Sequence, residues 1–256
     1  MKVERDADPK WVAALSGRGR EASGSAIAEA QGEHGLFDHL ALEHAREGRK
    51  SYVEIDAPLE LHALTRLIRP THVVEVGVSS GVSSAYLLNA LAKNRYGTLH
   101  SIDLPSSPRP NRKTGRPPVY SWTLPPGRSS GWAVPGALCD RWDLRLGDMA
   151  ELIPVLAREL ERIDLLLYDV PHDEVDIRSG VRILDPILAS GCVVIIDHGP
   201  GGSLCAALRG WARSSHARPV RRKGLGLFGA RRPDGTMLRR GRIRLQAPAL
   251  QQSEED

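Results

Sequence analysis

Residues 73–92 read VVEVGVSSGVSSAYLLNALA, an apolar run, then a bed of small residues, then an amphipathic helical pattern. Six of the eight residues Gly77–Ser84 are glycine or serine, although a turn from strand to helix needs only one glycine. So many small side chains leave the backbone open to close approach. The pattern reads as a buried strand entering a helix whose N-terminus is accessible.

The same alternation continues on both sides. Residues 57–70, APLELHALTRLIRP, place Leu59, Leu61, Leu64, Leu67 and Ile68 at helical spacing, and Pro70 stops the pattern. Strand-like runs follow at HVVEVGV (72–78), TLHSIDL (98–104), WDLRLGD (142–148), IDLLLYDV (163–170) and CVVIID (192–197). Helical patterns stand between them at residues 83–94, 151–160 and 177–190 and after them at 204–213, and a long irregular stretch parts the second run from the third. Apolar strands without in–out alternation are buried on both faces, and strand–helix alternation builds a parallel sheet. Residues 219–232 suit an antiparallel hairpin turning at Lys223–Gly224. The expected fold class is α/β, doubly wound and mostly parallel, with an antiparallel C-terminal hairpin.

Ligands of such sheets bind beyond the carboxyl ends of the strands, near the point where strand order reverses. Each of the five central strands ends in a carboxylate: Glu75, Asp103, Asp148, Asp169 and the pair Asp197–His198. Any one of these acids is explained by turn or helix-cap chemistry. Five on one rim point to a site. The Gly/Ser turn suits an anionic group at a helix N-terminus, and Asp103, about twenty residues on, suits a ribose diol. Gly77 and Gly81 stand four apart with Ser79 between them, so the dinucleotide pattern G-x-G-x-x-G is absent. A nucleoside carrying an amino-acid carboxylate fits better than a pyrophosphate.

Composition bounds the remaining choices. With 256 residues, 41% hydrophobic and 26% charged, the chain can bury one good core. No apolar run approaches the ~18 residues that span a bilayer, so no membrane partner is expected. Residues 1–20 lack the order of a secretory signal, and Cys139, Cys192 and Cys205 lack metal-ligand or redox spacing. A cytoplasmic protein with reduced thiols is the expectation. Residues 209–244 carry twelve Lys or Arg against the single acid Asp234. Such a stretch either attracts phosphates or lines edge strands, and without interleaved aromatics the second reading is favoured.

At these residues the chain resembles the class I S-adenosylmethionine (SAM)-dependent methyltransferases. Glu75-Val-Gly77 through Gly81 resembles their first motif, SIDLP with Asp103 the second, and LRLGDMAELIP with Asp148 the third. YVEIDAPLELHAL, PPGRSSGWAVP, DRWDLRLGD and IDLLLYD extend the likeness to one bacterial branch, the "methyltransferase 24" group, over roughly residues 50–230. The resemblance implies a Rossmann-like seven-stranded sheet and SAM as cofactor. It implies that Glu75, Gly77, Ser79 and Gly81 serve the methionine end, Asp103 the ribose, and Asp148 with Met149 the adenine. The distal half departs from the group, with Tyr168-Asp169-Val-Pro-His172 at the fourth strand and Asp197-His198 at the fifth.

The expected activity is O-methylation of a small-molecule acceptor, with His172 and Asp169 as catalytic candidates. Asp169, Asp197 and His198 also resemble in spacing the metal triad of the catechol-type O-methyltransferases, which implies Mg²⁺ or another divalent metal. Two alternatives stand beside this reading: an RNA methyltransferase using the basic C-terminal stretch, and a SAM-binding scaffold without transfer. A nucleic-acid partner is not expected, and a homo-oligomer is compatible with the sequence. Residues 1–50 read as a helical extension, 51–244 as the catalytic domain and 245–256 as an acidic tail. Residues 104–138 hold eight of the eighteen prolines and leave the second strand at the rim, where they suit a lid.

Overall fold

The computed structural model describes residues 7–47, 57–104, 124–170, 174–197, 206–222 and 227–234. Among these, seven strands form one sheet: β1 (His72–Val76), β2 (Thr98–Asp103), β3 (Trp142–Leu146), β4 (Ile163–Tyr168), β5 (Leu188–Asp197), β6 (Arg218–Arg221) and β7 (Leu227–Arg231). Their order is β3-β2-β1-β4-β5-β7-β6. The first five pair in parallel, whereas β7 runs antiparallel to both β5 and β6. The expected fold class is therefore present, including the hairpin, whose turn at Lys223–Gly224 lies outside the described residues. Strand order reverses between β1 and β4, so the rim beside the Gly/Ser turn is the switch point.

Both faces are covered because the central strands are apolar on both faces. On one face Val74, Leu166, Val194 and Ile196 pack with Ile153, Leu156, Ile177, Val181 and Leu208. These come from α6 (Met149–Glu159), α7 (Glu174–Leu184) and α8 (Ala206–Ser214). On the other face Val73, Leu99, Leu165 and Ile195 meet α4 (Pro58–Ile68) and α5 (Val82–Asn94). Three earlier helices, α1 (Pro9–Ser16), α2 (Arg20–Gln31) and α3 (His34–Arg46), occupy the N-terminal region. Trp11, Val12 and Leu15 of α1 enter the sheet's own core, and the Trp11 indole N–H donates to the Val220 carbonyl at 3.1 Å. No helix among the described residues is long and apolar enough to cross a membrane.

One boundary differs from the sequence reading. Residues 188–190 belong to β5 rather than to the preceding helix, which ends at Leu184. Pro186 lacks the amide that would continue α7, so the chain tightens into a 3₁₀ turn at Asp185–Ile187. Gly191, at φ +76°, then lets β5 bulge, and the register with β4 shifts between Ile163 and Leu165.

The basic stretch is partly interior. Arg222 forms a buried ion pair with Glu60 of α4 at 2.7 Å, and Arg232 pairs with Asp185. Arg218 and Arg221 lie exposed on β6, an edge strand that also carries Pro219. Arginine and proline there discourage edge-to-edge pairing.

A buried histidine gives the fold a pH dependence. His62 of α4 is fully buried, its Nε2 lies 3.1 Å from Asn89 Oδ1, and its Nδ1 has no partner among the described residues. Burial holds its pKa below the ordinary 6.5, so the folded state prefers neutral imidazole. Stability is full above pH 6.5 and falls as the pH drops from there toward the lowered folded pKa. In urea titrations across this range, His62→Gln should flatten the slope while keeping the donor to Asn89. An identical slope in both proteins would remove His62 from the account.

Candidate active site

The Gly/Ser turn is built around a buried carboxylate. Glu75 is fully enclosed and accepts hydrogen bonds from Ser83 Oγ (2.6 Å), Ser84 Oγ (2.6 Å) and Ser101 Oγ (2.7 Å). Trp142 Nε1 in turn donates to Ser101 Oγ at 2.9 Å. Burial pushes the Glu75 carboxyl above its ordinary range, and the three hydroxyls pull it back. This shell ties the first turn of α5 to β1 and β2. The serines that look like spacers in the sequence are thus the carboxylate's ligands, and no local pattern of the sequence marks Ser101 of β2 as the third.

The two glycines are required by the chain's own packing. Gly77 has φ +97°, and a Cβ there would stand 1.7 Å from the Asp169 carbonyl oxygen. Gly81, the N-cap of α5, has φ +93°, and its Cβ would meet Val134 at 2.5 Å and Gly131 at 2.9 Å. No side chain caps α5, so the amides of its first turn face the turn region without a competing carboxylate. Ser79 takes the left-handed conformation at φ +52°. Its N–H donates to Asp103 Oδ2 at 3.3 Å, which joins the turn to the end of β2. Asp103 is half-buried, and burial raises its pKa against the pull of the Ser130 hydroxyl and the backbone amides of Val78, Ser79 and Leu104.

The other rim acids divide by role. Asp148 is the N-cap of α6 and accepts from the Ala150 amide at 2.9 Å. Met149 packs on the core, with its sulfur 3.5 Å from the Tyr168 hydroxyl. Asp169 follows β4, with its amide on the Val76 carbonyl at 2.8 Å, and Asp197 ends β5. Tyr168 pairs with Ile196, so Asp169 and Asp197 stand side by side on neighbouring strands. Strands are about 4.8 Å apart, which brings the two acids into one patch of the rim. His172 and His198 lie outside the described residues. Among the described residues no three His, Cys, Asp or Glu side chains gather with metal-binding geometry.

A family model described as "Methyltransferase domain" matches residues 74–198, the segment that carries the turn, Asp103 and the rim acids. Over that segment the chain is matched as a methyltransferase domain of the class I SAM-dependent type. S-adenosylmethionine is the methyl donor of that class. This methyltransferase domain is similar in fold to the O-methyltransferase TomG from Streptomyces achromogenes, involved in tomaymycin synthesis and solved in complex with SAM. That match has a TM-score of 0.51 and 18% identity, covering 78% of this chain and 90% of TomG. It is also similar to the cofactor-bound protein Rv0187 from MTB, with a TM-score of 0.51 and 16% identity, covering 77% of this chain and 90% of that one. No curated protein matches it.

The sequence reading missed two features of this rim. One is the serine shell of Glu75. The other is the packing of residues 128–134 and the end of α3 against the turn, where nothing in the spacing pairs segments so far apart.

Proposed function

We infer that this chain transfers the methyl group of SAM to a hydroxyl of a small molecule. The observation that carries the reading is the direct bond between the turn before α5 and Asp103, across the switch point of the sheet. When bound, SAM supplies an electrophilic methyl group on a sulfonium. In this reading Gly77, Ser79 and Gly81 shape the turn, their own amides held by Ile102, Asp103 and Val78, and the first turn of α5 takes the methionine carboxylate. Glu75 serves them indirectly by fixing Ser83 and Ser84. Asp103 accepts from the ribose hydroxyls. Asp148 and Met149 border the adenine, and Leu104, 43% exposed beside Asp103, offers its ring an apolar face.

Methyl transfer is an in-line displacement, so the remaining work is to aim the acceptor and take its proton. His172, three residues after Asp169, is the base, and Asp169 orients it. The adjacency of Asp169 and Asp197 favours a second reading, in which those acids and His198 hold Mg²⁺ or Mn²⁺. Such a metal would lower the pKa of the acceptor hydroxyl. Residues 104–138 are assigned as a cover over the acceptor, with 105–123 outside the described residues.

The O-methyltransferase fold relative TomG, bound to SAM, supports the choice of oxygen as acceptor. RNA is disfavoured because Arg222 and Arg232 of the basic stretch are spent on internal ion pairs. The test is incubation with methyl-labelled SAM and either a panel of phenols and catechols or total RNA. Labelled O-methyl products are expected in the small-molecule fraction. Label in RNA alone, or SAM binding without transfer to either, would overturn the assignment.

A further inference from the structure

The Ser79–Ser80 turn is held from two sides by segments distant in sequence. Gly131 N–H donates to the Ser79 carbonyl at 2.8 Å, and Ala133 N–H donates to the Ser80 carbonyl at 2.9 Å. From the opposite direction His44, near the end of α3, places Nε2 at 3.2 Å from Ser80 Oγ. Its Nδ1 lies 2.7 Å from the Leu40 carbonyl, which only accepts, so Nδ1 carries a proton, and in the Nδ1–H tautomer Nε2 accepts from the serine. His44 and Ser80 are both buried. The two holding segments also hold each other. The rings of His44 and Trp132 stand 5.0 Å apart, and Arg128 lies 5.3 Å over the Trp132 ring. Arg128 also pairs with Glu47, just past α3, at 2.7 Å.

This arrangement explains how the strained turn persists. A serine at φ +52° is uncommon and costs energy, and such residues survive only where their surroundings over-determine them. Here Asp103 holds the Ser79 amide, residues 131 and 133 hold two successive carbonyls, and His44 holds the Ser80 hydroxyl. α3 lies outside the segment that matches the methyltransferase family model.

We propose that His44 is a positioning residue for the cofactor, acting through Ser80, and that α3 with residues 128–134 forms a clamp that pre-organises the turn. The proposal rests on the assignment of that turn to the methionine end of SAM. The clamp gives the N-terminal helices a part in the site. It also couples cofactor affinity to the contact between α3 and residues 128–134.

The test is titration of S-adenosylhomocysteine into the full chain and its variants, with thermal unfolding of each. His44→Ala should weaken binding about 3- to 10-fold, the range of one net hydrogen bond. His44→Gln, whose side-chain oxygen can accept from Ser80, should restore most of it. Arg128→Ala, which leaves no buried cavity, should weaken binding in the same direction with an unchanged unfolding midpoint. In the free protein, amide exchange at residues 78–81 should rise in His44→Ala. Unchanged affinity and exchange in His44→Ala and Arg128→Ala, with the parent still binding, would overturn the clamp and leave the cofactor assignment standing. A parent that binds no cofactor would remove the assignment and the proposal together, even if exchange at the turn still responds to His44.

Discussion

Replacing His172 by alanine is expected to lower turnover by about 10² to 10⁴, the usual worth of general-base catalysis. The acceptor hydroxyl must lose its proton as its oxygen meets the methyl group, and a neutral imidazole is the group that takes a proton near pH 7. Turnover of the parent should therefore fall on acidification, once the imidazole is protonated and can no longer accept. A metal changes this outcome in a recognisable way. If Asp169, Asp197 and His198 hold one, EDTA should abolish turnover, Mg²⁺ or Mn²⁺ should restore it, and Asp197→Ala should mimic the chelator. Histidine is a less natural ligand for Mg²⁺ than oxygen, so indifference to EDTA with a large loss in His172→Ala is the expected combination. Indifference to EDTA with full activity in His172→Ala would leave the rim as a binding surface only.

Gly77→Ala should destabilise the fold most among the glycine-to-alanine changes of the described residues. At φ +97° the new residue would be strained, and its Cβ would lie 1.7 Å from the backbone oxygen of Asp169. Strain of this kind costs about 1 to 3 kcal/mol, and overpacking against an atom that cannot rotate away adds a similar amount. Together these should lower the melting temperature by roughly 4 to 24 °C in a domain of this size. Gly24→Ala is the control, because Gly24 lies in α2 with open space around it. That change should be neutral or stabilising, since alanine is the better helix former. Equal melting temperatures for the parent and Gly77→Ala would contradict the close approach of β1 and β4 at the rim.

The contrast between these glycines shows what the sequence could and could not convey. Strand–helix alternation together with unbroken apolar strands pointed to a mostly parallel sheet, because helical crossovers cover both faces of the strands they join. The acids Asp103, Asp169 and Asp197 were legible for the same reason, since each directly ends an apolar run. The reason for the small residues was less legible. The space over Gly81 is filled by Gly131 and Val134, about fifty residues away, and the space over Gly77 by the end of β4. Ser83 and Ser84 face Glu75 rather than serving only as spacers. Contacts of that kind depend on how an irregular insertion folds back, and no local period encodes them. His44 was unreadable for the same reason: its partners, Ser80 and Trp132, come from two other segments. The start of β5 was misread because residues 188–190 continue a helical pattern, which Pro186 and Gly191 override.

The central claim is that SAM binds across the turn before α5 and the carboxylate of Asp103. Isothermal titration of S-adenosylhomocysteine into the parent and into Asp103→Ala tests it most directly. One site per chain is expected in the parent. Loss of the charged hydrogen bonds to the ribose is worth about 1 to 3 kcal/mol, so Asp103→Ala should bind about 5- to 150-fold more weakly. Equal affinity in the two proteins, with both still folded, would contradict the assignment and move the cofactor away from this rim.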